Sequence, residues 1–251
     1  MPSFVPDSPL VERVVPSPNH GPRRGGARPQ MIVLHYTGMK SAEVALERLC
    51  QKGSEVSAHY VVFEDGEIVQ CVAEARRAWH AGEAFWAGES DINSRSIGIE
   101  IVNPGHDWGY NDFPAVQIDA VIALCRDVLA RHAIPHHRLL AHSDVAPGRK
   151  QDPGEKFPWA RLAAAGLGHW VEPEPITTGG PVLKLDDSGP LVRELQAQLA
   201  EYGYRIDTTG TFDAQTRDVV AAFQRHFRPE RVDGVADAST RATLARLATR
   251  A

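Results

Sequence analysis

The chain has 251 residues, 43% hydrophobic and 24% charged, with a formal net charge of −5. That length accommodates one large domain or a medium and a small one, and the composition is ordinary for a globular protein. The acidic balance gives no reason to expect a nucleic-acid partner, and no apolar run approaches the roughly 20 residues that span a bilayer.

Residues 1 to 30 carry many Pro and Gly and no periodic pattern, so an extended arm wrapping the domain is expected. The arm has no apolar h-region and thus no visible secretory signal. Residues 31–37 form a continuous apolar, β-branched run suited to a buried central strand, and His35 stands at its end. Ser41 is placed to cap a helix running to about Gln51, with Val44, Ala45, Leu46 and Leu49 as its apolar stripe. Two short strands, 58–63 and 68–72, are joined around Asp65-Gly66, a strong hairpin signal. Residues 96–102 make a further alternating strand. From about Pro114 to His132, Ile118, Val121, Ile122, Cys125, Val128 and Leu129 recur at helical spacing, enough to cover one face of a sheet. A strand at 138–142 then delivers His142, and a loop containing Pro147 and Gly148 turns the chain back towards Asp152. A short helix follows near 157–165.

Cys50, Cys71 and Cys125 are odd in number and lack close spacing. They read as small buried apolar groups, not as a disulfide framework or a thiolate metal site.

Composition shifts to Pro and Gly without periodicity between about 167 and 183, marking a linker. This divides the chain into 1–166, the linker, and a small helical unit at 184–251. The last unit holds an internal repeat: residues 210–217 (GTFDAQTR) recur at 234–241 (GVADASTR). In each copy Gly makes a turn and Asp caps the helix that follows. A preceding helix from Leu191 to about Tyr202 places Leu191, Leu195 and Leu199 on one face. Three such helices make a bundle of marginal stability alone. The predicted fold class is therefore α/β, a mixed central sheet flanked by helices, plus a small all-α three-helix C-terminal domain.

Strand ends are where such a sheet gathers functional groups. His35, His142 and Asp152 would give two nitrogens and one oxygen, leaving the fourth tetrahedral position of a zinc ion for water. Zinc with an open position lowers the pKa of bound water to about 7, and attack on an amide then needs a base and a cation for the oxyanion. Glu100, in an otherwise apolar strand, is the candidate base; alternation puts it opposite Ile97, Ile99 and Ile101, so a solvent-facing Glu is the alternative. Lys150 is the candidate cation, or else a solvated loop Lys. His35 has its own alternative as a buried, hydrogen-bonded structural His.

Taken in order, IVLHYTG at 32–38, AHYVV at 58–62, WHAG at 79–82, SIGIEIVN at 96–103 and AHSDVAPGRKQDPG at 141–154 resemble the type 2 zinc N-acetylmuramoyl-L-alanine amidases of bacteria. That family is related to animal peptidoglycan-recognition proteins, and the resemblance covers about residues 14–165. It implies one zinc per chain held by His35, His142 and Asp152, with Glu100 as acid/base and Lys150 stabilising the tetrahedral intermediate. Some relatives place a Tyr near the metal where this chain has Tyr60, so Tyr60 is an auxiliary group at the site or a half-buried strand residue. Trp79 and His80 fall in the WHAG signature and either line a substrate groove, an aromatic face suiting a sugar or peptide, or plug the core edge. Asn93 and Asn103 flank the SIGIE strand, within reach of substrate or of their own turns. His106, His132, His136, His137, His169 and His226 are assigned no functional role.

The second unit resembles the three-helix peptidoglycan-binding domain, through residues 188–204, 211–227 and 231–247. It departs from that pattern at 207–210, where DTTG stands in place of a plain Asp-Gly turn. The expected activity is cleavage of the amide between N-acetylmuramic acid and L-alanine, in peptidoglycan or its muropeptide fragments. The alternatives are a non-catalytic recognition protein and a zinc peptidase acting within the stem peptide. A monomer is expected. The wall-binding unit points to the cell envelope or periplasm, and the missing signal to the cytoplasm.

Overall fold

The computed structural model describes residues 4–177 and 179–248. The first three residues of the expected arm, position 178 of the expected linker and the last three residues of the C-terminal unit lie outside the described residues. The arm forms two short strands: β1 (Arg13–Val14) adds to the edge of the main sheet, parallel to a later strand, and β2 (His20–Pro22) joins a separate two-stranded ribbon. The apolar run becomes β3 (Met31–Tyr36), with its first five residues buried. Ser41 caps α1 (Ala42–Cys50), its hydroxyl accepting the Val44 N–H at 3.3 Å. The expected stripe on α1 is narrower than the spacing predicts, for Val44 is 49% exposed while Ala45 and Leu49 are buried.

The hairpin is β4 (Tyr60–Val62) and β5 (Ile68–Gln70), antiparallel, with Gly66 at φ 94° in the connecting turn. Next come β6 (Arg76–Ala78), which pairs with β2, and the short α2 (Ile92–Arg95). Then β7 (Ser96–Ile101), α3 (Ala115–His132), β8 (Leu139–Ala141), α4 (His142–Val145) and α5 (Trp159–Ala164) complete the first unit. The C-terminal unit is α6 (Pro190–Tyr202), α7 (Ala214–Phe227) and α8 (Ala238–Ala248). No helix among the described residues is long and apolar enough to cross a membrane.

Among the described residues the main sheet has six strands in the order β1-β5-β4-β7-β3-β8. It is mixed: β4, β7, β3 and β8 are mutually parallel and β5 runs against β4. Both faces of β3 are buried, which is why its sequence reads as an unbroken apolar run. On one face Ile32, Leu34, Ile97, Ile99 and Ile101 pack beneath Ile118, Val121 and Cys125 of α3. On the other, Met31, Val33 and Leu140 share a cluster with Trp86 and with Val192, Leu195 and Phe223 of the C-terminal helices. Each such side chain taken from water contributes about 1.5–3 kcal/mol. The C-terminal unit thus shares a core with this side of the first unit.

The stretch joining the two units is tied down as well. Val171 is buried, Glu174 N–H donates to Thr243 Oγ1 at 3.0 Å, and Ser239 Oγ donates to the Glu174 carbonyl at 2.6 Å. Within the C-terminal unit the sequence repeat is a structural one. Asp213 accepts the Thr216 N–H and Asp237 the Thr240 N–H, both at 2.8 Å. The amides of Gln196 and Gln224 each clamp the glycine turn ahead of the next helix, accepting from Gly210 N–H at 2.8 Å and Gly234 N–H at 2.9 Å. Leu195 and Leu199 are buried as expected, but Leu191 is 41% exposed and Val192 takes its place in the core.

A buried ion cluster closes the α3 side. Glu74 is 3% exposed; it accepts hydrogen bonds from Tyr60 Oη at 2.7 Å, from the Arg131 guanidinium and from His132 Nε2 at 2.6 Å. Burial pushes its carboxyl up, but the His132, Arg131 and Tyr60 bonds outweigh it and hold the pKa at about 2. A carboxyl whose folded pKa is depressed stabilises fully above its unfolded value near 4.5, and that stability is lost as pH falls from there towards 2. The contribution is about 3 kcal/mol at neutral pH. Comparing urea midpoints of the wild type and Glu74→Gln, the gap should be large at pH 7 and shrink steadily below pH 4.5; a gap unchanged by pH would refute this.

Candidate active site

Two of the three proposed ligands are placed by neighbouring parallel strands. His35 is the fifth residue of β3, 1% exposed, and His142 opens α4 immediately after β8, 2% exposed. The β3–β8 register, Leu34 opposite Ala141, sets the two histidines one step beyond the last paired residues. Asp144 fixes the turn at that point, its Oδ2 accepting the Ala141 N–H at 2.8 Å. The 146–150 loop then folds back, and the Asp152 carbonyl accepts the Ser143 N–H at 3.0 Å, which seats Asp152 beside His142.

The three side chains meet. His35 Nδ1 lies 2.9 Å from His142 Nδ1 and 3.0 Å from Asp152 Oδ2, and His142 Nδ1 lies 2.8 Å from the same oxygen. A tetrahedral zinc ion with bonds near 2.0–2.1 Å needs its ligand atoms about 3.3 Å apart, an opening of a few tenths of an ångström. The donor set is right for zinc: two imidazole nitrogens and one carboxylate oxygen facing a single point. The charge states agree too. Burial lowers the His35 pKa to about 4, the nearby His142 adding to the effect, so His35 is neutral near pH 7. Asp152 is held well below the carboxylate range; its burial opposes this, but the close approach of the His142 and His35 rings prevails.

Glu100 shares the face of His35, because β3 and β7 are parallel with His35 opposite Glu100. The strand's other face carries Ile97, Ile99 and Ile101, so the residue opposite them faces the cleft and not bulk solvent. Its Oε2 is enclosed and has no hydrogen-bond partner among the described residues. Burial raises its pKa well above the carboxylate range, Asp152 raises it further and Lys150 opposes them. Such a group is ready to exchange a proton with a bound molecule.

His35, Glu100, His142, Lys150 and Asp152 line one cleft of about 390 Å³ together with Trp79 and His80. Trp79 is half-buried and lines the cleft, and its backbone N–H donates to Ser57 Oγ at 2.9 Å. Two expected substrate contacts lie elsewhere. Tyr60 pairs in register with Ile99, which puts it on the α3 face, fully buried, with its hydroxyl on Glu74. In a strand of period two, Val61 and not Tyr60 shares a face with Glu100. Asn93 is buried and its Oδ1 accepts the N–H groups of His80 and Ala81 at 3.0 and 2.8 Å, so it anchors a loop.

Sequence reasoning missed Tyr36, Arg48 and Arg149 on the cleft lining. The Arg149 guanidinium donates to the carbonyls of Ala81 and Glu83 at 2.5 and 2.6 Å, fastening the ligand loop to the 79–82 loop. Backbone acceptors leave no mark in a sequence, so only the adjacency to Lys150 pointed towards it. His226, assigned no role, is buried in the contact between the units. Its Nδ1 lies 2.6 Å from Asp144 Oδ2, and Tyr204 Oη donates to Asp144 Oδ1 at 2.7 Å.

Known proteins resemble this chain in sequence and fold. A family model described as N-acetylmuramoyl-L-alanine amidase matches residues 25–155, and one described as a peptidoglycan binding domain matches residues 188–244. The N-acetylmuramoyl-L-alanine amidase AmiD of Escherichia coli (strain K12) is 38% identical over 231 residues, covering 86% of this chain and 80% of AmiD. The 1,6-anhydro-N-acetylmuramyl-L-alanine amidase AmpD of Enterobacter cloacae is 31% identical over 169 residues, 61% of this chain and 88% of AmpD. Among solved structures, E. coli AmiD in complex with anhydro-N-acetylmuramic acid-L-Ala-D-gamma-Glu-L-Lys aligns with a TM-score of 0.76 at 36% identity, over 89% of this chain and 90% of that one. AmpDh3 from Pseudomonas aeruginosa aligns with a TM-score of 0.73 at 32% identity, over 90% and 93%. With residues 25–155 matched by that family model and AmiD 38% identical over 86% of this chain, the chain belongs to the N-acetylmuramoyl-L-alanine amidase family.

Proposed function

We propose that this amidase works with one zinc ion held by His35, His142 and Asp152, on muramyl peptides of the cell envelope, as wall polymer or as fragments released from it. The observation that carries the proposal is the convergence of three metal-binding atoms within 3.0 Å of one another on a cleft that also holds an unpartnered carboxylate oxygen. Zinc bound there would polarise the amide carbonyl and bring the pKa of a water in its open position to about 7.

The rest falls to the chain's own side chains. Glu100, on the same sheet face as His35, takes the proton from the attacking water and hands it to the nitrogen leaving as the L-alanine amine. Lys150, on the cleft wall, neutralises the oxygen that becomes negative as the carbonyl carbon turns tetrahedral. The Trp79 ring offers a flat apolar face to the sugar or peptide. The fragment-bound structures of AmiD and AmpDh3 support fragments as substrates, and the matched peptidoglycan-binding domain supports the polymer and an envelope location.

Purified sacculi and an anhydro-muropeptide should be digested side by side, with and without chelator, and the products read by mass spectrometry. The expected product is an intact stem peptide with a free L-alanine amine, lost with chelator and restored by zinc. Cleavage within the stem would make the protein a peptidase. No turnover with zinc loaded would leave recognition alone, and chelator-resistant cleavage would remove the metal from the mechanism.

A further inference from the structure

The 79–82 loop sits directly behind the two histidine ligands, and its hydrogen bonds have a definite direction. Ser96 Oγ donates its single proton to the Ile92 carbonyl at 2.7 Å. It therefore faces His80 Nε2, 3.0 Å away, only as an acceptor, so His80 carries its proton on Nε2. His80 Nδ1 is then bare and accepts from His35 Nε2 at 3.0 Å. With its proton on Nε2, His35 turns a free lone pair on Nδ1 towards His142 and Asp152. The neighbouring residue serves the second ligand the same way: His142 Nε2 donates to the Ala81 carbonyl at 3.0 Å, which frees its Nδ1.

Space has been cleared for this chain of bonds. His80 lies flat against β7 at Gly98, where an added Cβ would stand 2.4 Å from His80 Cγ. The Gly98 N–H donates to His59 Nδ1 at 2.9 Å, and the His59 ring stands edge-on to His80 with centroids 5.8 Å apart. Asn93 Oδ1, accepting from both His80 and Ala81, fixes the loop backbone.

We infer that His80 is a positioning residue for the metal ligand His35: anchored by Ser96 and admitted by Gly98, it sets which nitrogen of His35 bears the proton and where the other points. His80 acts through His35 even though its ring borders the cleft, which replaces its expected role as a substrate contact. The inference rests on the zinc reading above for its consequence, and on hydrogen-bond direction alone for its cause. Partners that orient a ligating histidine typically change metal affinity by about 10–100-fold when removed.

The test uses the full chain as wild type, His80→Ala and Ser96→Ala. Zinc affinity is read by competition with a chromophoric chelator, and the His35 tautomer by nitrogen-15 NMR of metal-free protein at neutral pH. Wild-type His35 should show a protonated Nε2 and a bare Nδ1. His80→Ala should weaken zinc binding by about 10–100-fold and mix the two tautomers. Ser96→Ala, a smaller change remote from the metal, should move both readouts the same way to a lesser degree. Zinc affinity within twofold of wild type in His80→Ala, or a wild-type His35 protonated on Nδ1, would overturn the inference. A wild type that binds no zinc would end the metal reading instead, and the tautomer measurement would still decide this one.

Discussion

Glu100→Gln is expected to lower kcat by about 10²–10⁴-fold while zinc stoichiometry and the unfolding midpoint stay near wild type. The amide keeps the size and loses only the ability to take a proton. Because an enclosed, unpartnered oxygen belongs to this side chain, replacing the acid with a neutral group relieves burial cost and leaves no new unpaired charge. The pH profile gives a second signature. A base works only when deprotonated, and burial beside Asp152 displaces the Glu100 pKa upward. The acid limb of kcat/KM should therefore fall above the ordinary carboxylate range near 4.5, and should vanish from the residual activity of Glu100→Gln. A variant that cleaves at the wild-type rate with zinc bound would remove Glu100 from the reaction.

The second large effect is expected far from the chemistry. Asp144 is fully buried and accepts three hydrogen bonds, from Ala141 N–H, Tyr204 Oη and His226 Nδ1. Two of the three partners come from the C-terminal unit, and the third sets the turn that carries His142. His226 is clasped further by stacking, with ring centroids 3.7 Å from Trp159 and 3.8 Å from Phe227. Asp144→Ala strands a hydroxyl and an imidazole in a closed contact, at a cost of about 3–5 kcal/mol. Against a typical stability of about 5–15 kcal/mol, that is a large fraction of the whole. Tyr204→Phe removes one neutral donor and should cost about 1–2 kcal/mol. Urea unfolding of the three proteins, followed by tryptophan fluorescence from Trp86 and Trp159, checks both values. A midpoint for Asp144→Ala equal to wild type would mean the two units do not depend on this contact.

That contact shows where reading the chain by itself stops. The linker composition at 167–183 and the glycine-aspartate repeat at 210 and 234 mark a second helical unit, but neither says what its apolar face covers. The answer lies in the core that its helices share with Met31, Val33, Trp86 and Leu140 of the first unit, which exists only once the two units have met. Alternation in SIGIEI puts Glu100 opposite the isoleucines; whether that side meets solvent or His35 depends on the parallel pairing of β7 with β3. The family resemblance offered Tyr60 as an auxiliary group at the site, but its register with Ile99 turns it to the opposite face and onto Glu74.

By sequence alone, the core strands near 31–37, 58–63, 68–72, 96–102 and 138–142, the long helix at 114–132, the helix caps at Ser41 and Asp213, the histidines at two strand ends and the return of Asp152 through a Pro-Gly loop were determined. These are local properties, fixed by side-chain period, backbone preference and the chemistry of the residue itself. Tertiary structure decided which sheet face became the cleft, that Asn93 and Ser96 serve the loop behind His35 and His142, and that the C-terminal helices close the core. Each of those depends on groups many residues apart meeting across a sheet, and a hydrogen bond or an apolar contact has no existence until both partners are in place.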